Sequence, residues 1–280
     1  MEKINLPLLF ARDKQEALNN ALINKSGCFM FLKTDEILPG FSPTSYSDAF
    51  LEVVIGLYIV YHDLACSYWK ALLSIDFCPP TGFDKFKLIK PYKHVKCIIE
   101  ALRPHFTHGF MLARDAQVDE LREALEFLYD RNRVQPMPWG NSKTQWPRYM
   151  QIMTEAYWKQ IVENLIKDSD DLYSVMLEWA DSWEKAIANG ATSPRHDFIW
   201  SDAFSKSIDL RVLNPYCTKH RAKRPEEEKL SELQNHLRDF VENNPRKKPD
   251  RILKELENWL ITENLGESSL DIAAKYGLSL

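Results

Sequence analysis

Residues 48–75, DAFLEVVIGLYIVYHDLACSYWKALLSI, are apolar on nearly every side of a helical wheel. A surface helix keeps one polar face, so a helix without one has to be enclosed by other elements. The segment therefore predicts a central, buried helix with Ser47 as its N-cap. The rest of the chain must supply the shell, and it does so with helices, since strand alternation is nearly absent. The most apolar stretch, Phe50 to Tyr61, contains Glu52 and is followed by His62 and Asp63. It is too short to cross a bilayer. His62 and Asp63 read as a hydrogen-bonded pair inside this helix, with a polar cavity lining as the functional alternative.

Around that helix the pattern gives further elements. DKQEALNNALIN opens with Asp13 as N-cap and Glu16 three residues on, a capping-box spacing. GCFMFLKT, residues 27–34, is the best strand candidate, and PGFSPTS is a loop. DFCPPTGFDKF ends the central helix, and YKHVKCIIEAL forms a second one that runs up to Arg103. DAQVDELREALEFLYDRN carries Val118, Leu121, Leu125 and Leu128 on one stripe. Residues 133–147, rich in proline and polar side chains, read as a linker. Two tryptophan-bearing helices follow, 148–168 and 171–189, the second stopped by Gly190. An irregular stretch covers 191–225, and two more helices, 226–243 and 250–264, flank the basic turn PRKKP. Glu226, Glu227 and Glu228 place favourable charge at a helix start. The tail SLDIAAKYGLSL reads as a docked terminal helix that ends before any recognition helix. The expectation is an all-α protein: an N-terminal segment 1–44, a helical bundle 45–132, the linker 133–147 and a C-terminal helical domain 148–280.

A net charge of −4 argues against a generally basic nucleic-acid coat and leaves room for a local patch. The cysteines at 28, 66, 78, 97 and 217 are odd in number and form no CxxC pair, which suits reduced thiols in a cytoplasm-like compartment. The first residues, MEKINLPLLFARDK, lack the apolar length of a secretory signal. A soluble, cytoplasmic protein without a membrane partner is expected.

The chemistry-bearing stretch is ALRPHFTHGF, residues 101–110. A helix rises ~1.5 Å per residue, which sets Arg103 and His108 roughly 7.5 Å apart along an axis. Pro104 suits a first helical position, and a helix starting there puts His105 and His108 on one face. Arg103 then stands just outside the helix start, where unpaired donors favour an anion. Metal-free RNA cleavage needs a proton-transfer group at the 2′-hydroxyl or the leaving 5′-oxygen, and histidine titrates in the right range. It also needs fixed positive charge on the phosphorane, which a guanidinium supplies. One such pair per chain would gain from a second copy across a symmetric dimer.

LRPHFTHG resembles the motif of the HEPN family (higher eukaryotes and prokaryotes nucleotide-binding domains): an arginine, four to six residues, then a histidine and a glycine. The surroundings are similar too, with a long apolar helix, a second helix leading into the motif and an acidic amphipathic helix after it. The resemblance covers roughly residues 45–131. It implies a helical bundle, commonly dimeric, and a metal-independent ribonuclease or RNA-binding effector of the toxin or defence type. Arg103 would bind the phosphate and His108 would be the catalytic histidine. Pro104 stands where the family usually has a polar residue, often Asn, and His105 is placed to take over that group's role.

A second RNA-binding feature is RVLNPYCTKHRAKR, residues 211–224, with Arg211, Lys219, Arg221, Lys223 and Arg224, no acid, and Tyr216 as an interleaved aromatic platform. A solvated loop is the plainer account of such a run. His105 and His108 could be half a metal site, but there is no HExxH and no cysteine pair, so no metal and no cofactor are expected. No phosphate loop, G-x-G-x-x-G or serine-nucleophile elbow occurs. The alternative reading is a non-catalytic helical interaction protein, an adaptor, antitoxin or regulatory partner of another protein, favoured by Pro104 and the acidic balance.

Overall fold

A computed structural model of the chain describes residues 12–31, 43–64, 77–80, 82–84, 87, 95, 154–209, 213–220, 224–244, 251–252, 254–255 and 258–259. Among these residues every regular element is helical and none is a strand, the all-α class that the periodicity predicts. In chain order the helices are α1 (Arg12–Ser26), α2 (Tyr46–Tyr58, passing into a π-helical turn at Ile59–Leu64), α3 (Glu155–Ala188), α4 (Arg195–Trp200), α5 (Asp202–Ile208), α6 (Asn214–His220) and α7 (Glu227–Asn243). Residues 251–252, 254–255 and 258–259 are helical as well. The linker at 133–147, the helix at 115–132, the turn PRKKP and the tail from 260 onward lie outside the described residues.

The chain forms two compact units, neither a single stretch of sequence. One comprises residues 1–15, 36–62 and 84–176; the other comprises 16–35, 63–83 and 177–280.

In the first unit, α2 starts at Ser45 and not at Ser47. Ser45 is extended (φ −136, ψ 159), and its Oγ accepts from the Asp48 backbone N–H. Ser47 lies inside the first turn, its Oγ 2.9 Å from that of Ser45. A tertiary contact explains the earlier start: the Tyr46 N–H donates to Glu155 Oε1 at 2.5 Å, so a second orphan donor is met from α3. Helix α2 buries Ala49, Phe50, Val53, Val54, Gly56, Leu57 and Tyr58. Phe50 packs on Trp158 with ring centroids 5.0 Å apart. At Ile59 the helix widens into its π turn, a rare form that recurs at functional sites.

The two tryptophan helices expected at 148–168 and 171–189 are one helix, α3, of 34 residues. The sequence DSDD at 168–171 suggests a break, because Asp and Ser compete with the helical backbone. Burial overrides that preference. Asp168 and Ser169 are 4% and 0% exposed, and Ser169 Oγ lies 3.2 Å from the Tyr61 hydroxyl. Trp158, Ile161, Val162, Leu165, Leu172 and Met176 continue the same buried stripe. Gly190 ends the helix as expected: its φ is +93, Ala191 N–H reaches Ala186 O and Gly190 N–H reaches Ile187 O, a Schellman closure.

The second unit is built on aromatic residues. Phe198 meets Phe29, Phe77 and Phe204 edge-on, with centroids 5.4, 6.3 and 5.7 Å away. Residues 27–31, expected as part of a strand, form none. Asn19 of α1, 3% exposed, does a strand's work there. Its Oδ1 accepts from the Met30 and Phe31 N–H groups, and its Nδ2 donates to Phe31 O. The stretch expected to be irregular, 191–225, holds α4, α5 and α6. Ser201 divides the first two by accepting from the Phe204 N–H, a local cap in a run with no long periodicity.

The indoles of Trp179 and Trp183 both donate to one acceptor, Phe77 O, at 3.2 and 3.1 Å. Either single replacement by Phe leaves that buried carbonyl one partner and is expected to cost about 1 kcal/mol beyond packing. The double variant leaves it none. Denaturant unfolding should show the double loss exceeding the sum of the singles by about 1 kcal/mol; strict additivity would contradict the shared-acceptor account.

Candidate functional site

Arg103, His105 and His108 lie outside the described residues, as do Arg211, Arg221 and Lys223. The structure does place Tyr216, Lys219 and Arg224. Tyr216 sits on the inner side of α6, 8% exposed, on the same buried face as Leu213. Its ring is therefore part of the core and does not stand out as a surface platform. Lys219 points outward. Arg224 is exposed and engaged: Nη2 donates to both Asp209 oxygens at 2.6 and 2.7 Å, and Nη1 donates to Asn214 Oδ1 at 3.1 Å. Asp209 raises the Arg224 pKa through that hydrogen bond and its charge. Partial burial pushes the Cys217 thiol up, with Arg224 opposing the rise and Asp209 adding to it.

A surface group that sequence reading did not single out lies where α4 packs on α7. His196 Nδ1 is 2.6 Å from Glu242 Oε1, and the Trp200 indole N–H donates to the same oxygen at 3.4 Å. The Arg238 guanidinium stacks 4.4 Å from the Trp200 ring centroid and donates to Ser205 Oγ and Ile199 O. Trp200 is nonetheless 46% exposed, so an oriented indole faces solvent. The only signal in the sequence is the four-residue spacing within each pair, His196/Trp200 and Arg238/Glu242. Their meeting depends on helices some 40 residues apart, which spacing cannot reveal.

In the first unit a polar group adjoins the π turn. Tyr61 is buried beside Ser169, and burial raises its phenol pKa, with Asp170 and Asp168 adding to the rise. Burial also raises the carboxyl of Asp170, with Asp171 adding to it and Lys14 opposing it. Gln15 is 1% exposed. The Tyr61–Ser169 hydrogen bond anchors the mid-part of α3, where the sequence alone suggests a break.

Among the described residues no group of three or more His, Cys, Asp or Glu side chains could hold a metal ion. No helix there is long and apolar enough to cross a membrane. Cys28, Cys78 and Cys217 carry thiols, and burial pushes that of Cys28 up to about 12. Comparison with protein-family models, curated proteins and solved structures gives no match for this chain.

The contact between α4 and α7 has a pH signature. The hydrogen bond from His196 holds the Glu242 carboxyl below its usual range, with Trp200 adding to the effect. A carboxylate depressed in the folded state stabilises above its unfolded pKa, and that contribution is lost as pH falls through the folded value. Glu242→Gln should therefore destabilise near neutral pH, and its difference from wild type should shrink as pH falls below about 4. Urea midpoints across pH check this; a difference constant over that range would contradict the linkage.

Proposed function

We propose that this chain is a HEPN-like, metal-independent endoribonuclease that acts as a homodimer in a toxin or defence setting. What supports the reading is the sequence ALRPHFTHG, in a chain whose regular elements among the described residues are all helical. Arg103 holds the scissile phosphate as a permanently charged fork. His108 exchanges protons at the 2′-hydroxyl or the leaving oxygen. His105 supplies the polar contact that Pro104 cannot. The basic run with Lys219, Arg221, Lys223, Arg224 and Arg211 steers the RNA backbone, a role that needs charge and no base readout. A dimer sets two Arg–His pairs in one cleft, which offsets the thinness of a two-residue set.

A second reading has its own support. Trp and Arg are the residue types that dominate protein–protein contacts, and Trp200 with Arg238 on its face is oriented toward solvent. In that reading the chain is a helical interaction protein and the partner seats on the α4–α7 surface.

RNA cleavage in the presence of a chelator separates the two. Wild type is expected to cut, His108→Ala to lose roughly 10²–10⁴ in rate, and Arg103→Ala to lose activity as well. Equal rates for all three proteins would remove the nuclease assignment. Partner capture abolished by Trp200→Ala but retained by Arg103→Ala would favour the interaction protein.

A further inference from the structure

We propose that Asp209 is an internal competitor for RNA, its carboxylate holding Arg224 where a phosphate would otherwise bind. The inference rests on the RNA reading above and concerns how its basic run is kept in check. Carboxylate and phosphate offer a guanidinium similar acceptor oxygens, so one can replace the other. Asp209 is the C-cap of α5, and Asn214 is the first residue of α6. The two acceptors of Arg224 are thus both fixed on helices, and the guanidinium is held in place before any ligand arrives. The acid is the more sheltered partner: its side chain is 22% exposed against 50% for Arg224. A phosphate can therefore approach the guanidinium from solvent.

The sequence makes this pairing specific. Between Asp209 and Arg224 stand Arg211, Lys219, Arg221 and Lys223, and no other acid. Asp209 is the one carboxylate of the 209–224 segment, and it is committed to the last cation of the run. An RNA phosphate that takes Arg224 leaves the Asp209 charge without its partner, and that charge then recruits a cation from solution. The recruited cation cancels part of the counterion release that drives binding. Both affinity and its salt dependence are lowered by the same residue.

The test uses the full chain carrying His108→Ala, so that RNA is not cut, and a labelled single-stranded oligoribonucleotide followed by fluorescence anisotropy over a range of salt. Asp209→Asn is expected to tighten binding about two- to five-fold at low salt and to steepen the log K against log salt slope by about 0.7. Adding Arg224→Ala to Asp209→Asn should remove both gains. Unchanged or weaker binding by Asp209→Asn, with the parent binding normally, would overturn the proposal and make the pair a positioning clamp. Gains that survive Arg224→Ala would overturn it too, since they would be due to net charge alone. A parent that binds no oligoribonucleotide at any salt would instead remove the RNA reading, and the inference with it.

Discussion

The guanidinium of Arg195 closes two helices at once. Its Nη1 donates to Gly27 O, just past the end of α1, at 2.9 Å. Its Nη2 donates to Val241 O, in the last turn of α7, and reaches Asn244 O at 3.5 Å. Each helix end leaves carbonyls without an intrahelical partner and carries partial negative charge, so one cation serves both. Burial lowers the Arg195 pKa, yet a guanidinium stays charged at any ordinary pH. Gly27 makes the approach feasible. Its φ is +77, and a Cβ there would come within 3.1 Å of Arg195 Cβ and 3.2 Å of Ser193 Oγ. Ser193 adds a bond to Ser26 O at 2.7 Å. Other described residues of the second unit follow the same rule: no strand occurs among them, and side chains satisfy the backbone between helices. Asn19 does so for Met30 and Phe31, and Trp179 and Trp183 do so for Phe77.

Features set by local chemistry could be read from the sequence. Gly190 stops α3, and the acidic run at 226–228 opens α7. What escaped was set by partners distant in the chain. Ser45 and Ser47 are equally competent caps, and Glu155 decides between them through the Tyr46 N–H. DSDD has the composition of a break, and the burial of Asp168 and Ser169 beside Tyr61 keeps it helical. The segment starting at Gly27 has strand-like residues, no strand occurs among the described residues to pair with it, and an asparagine side chain takes the ladder bonds. Short helices such as α4, α5 and α6 escape periodicity because they span too few turns to display it.

The candidate site divides along the same line. Arg103, His105 and His108 form a pattern in the sequence because they are close together and their residue types match one chemistry, and they lie outside the described residues. Tyr216 was legible only as an aromatic amid cations; its place on the inner face of α6 depends on what α6 packs against. The Asp209–Arg224 pair and the group of His196, Trp200, Arg238 and Glu242 are products of folding, joined across 15 to about 46 residues. Charge patterning identifies the cations of the basic run but not which of them already has a carboxylate.

The proposed ribonuclease function rests on proton transfer by His108 and phosphate binding by Arg103, with no metal taking part. Attack by the RNA's own 2′-hydroxyl then forms the new bond to phosphorus, and the 5′-oxygen leaves with a proton. The chemical identity of the product ends reports this route directly. Mass spectrometry of RNA cut by the wild-type protein in excess chelator should find 2′,3′-cyclic phosphate on one fragment and a 5′-hydroxyl on the other. A 3′-hydroxyl with a 5′-phosphate, or intact RNA, would contradict it.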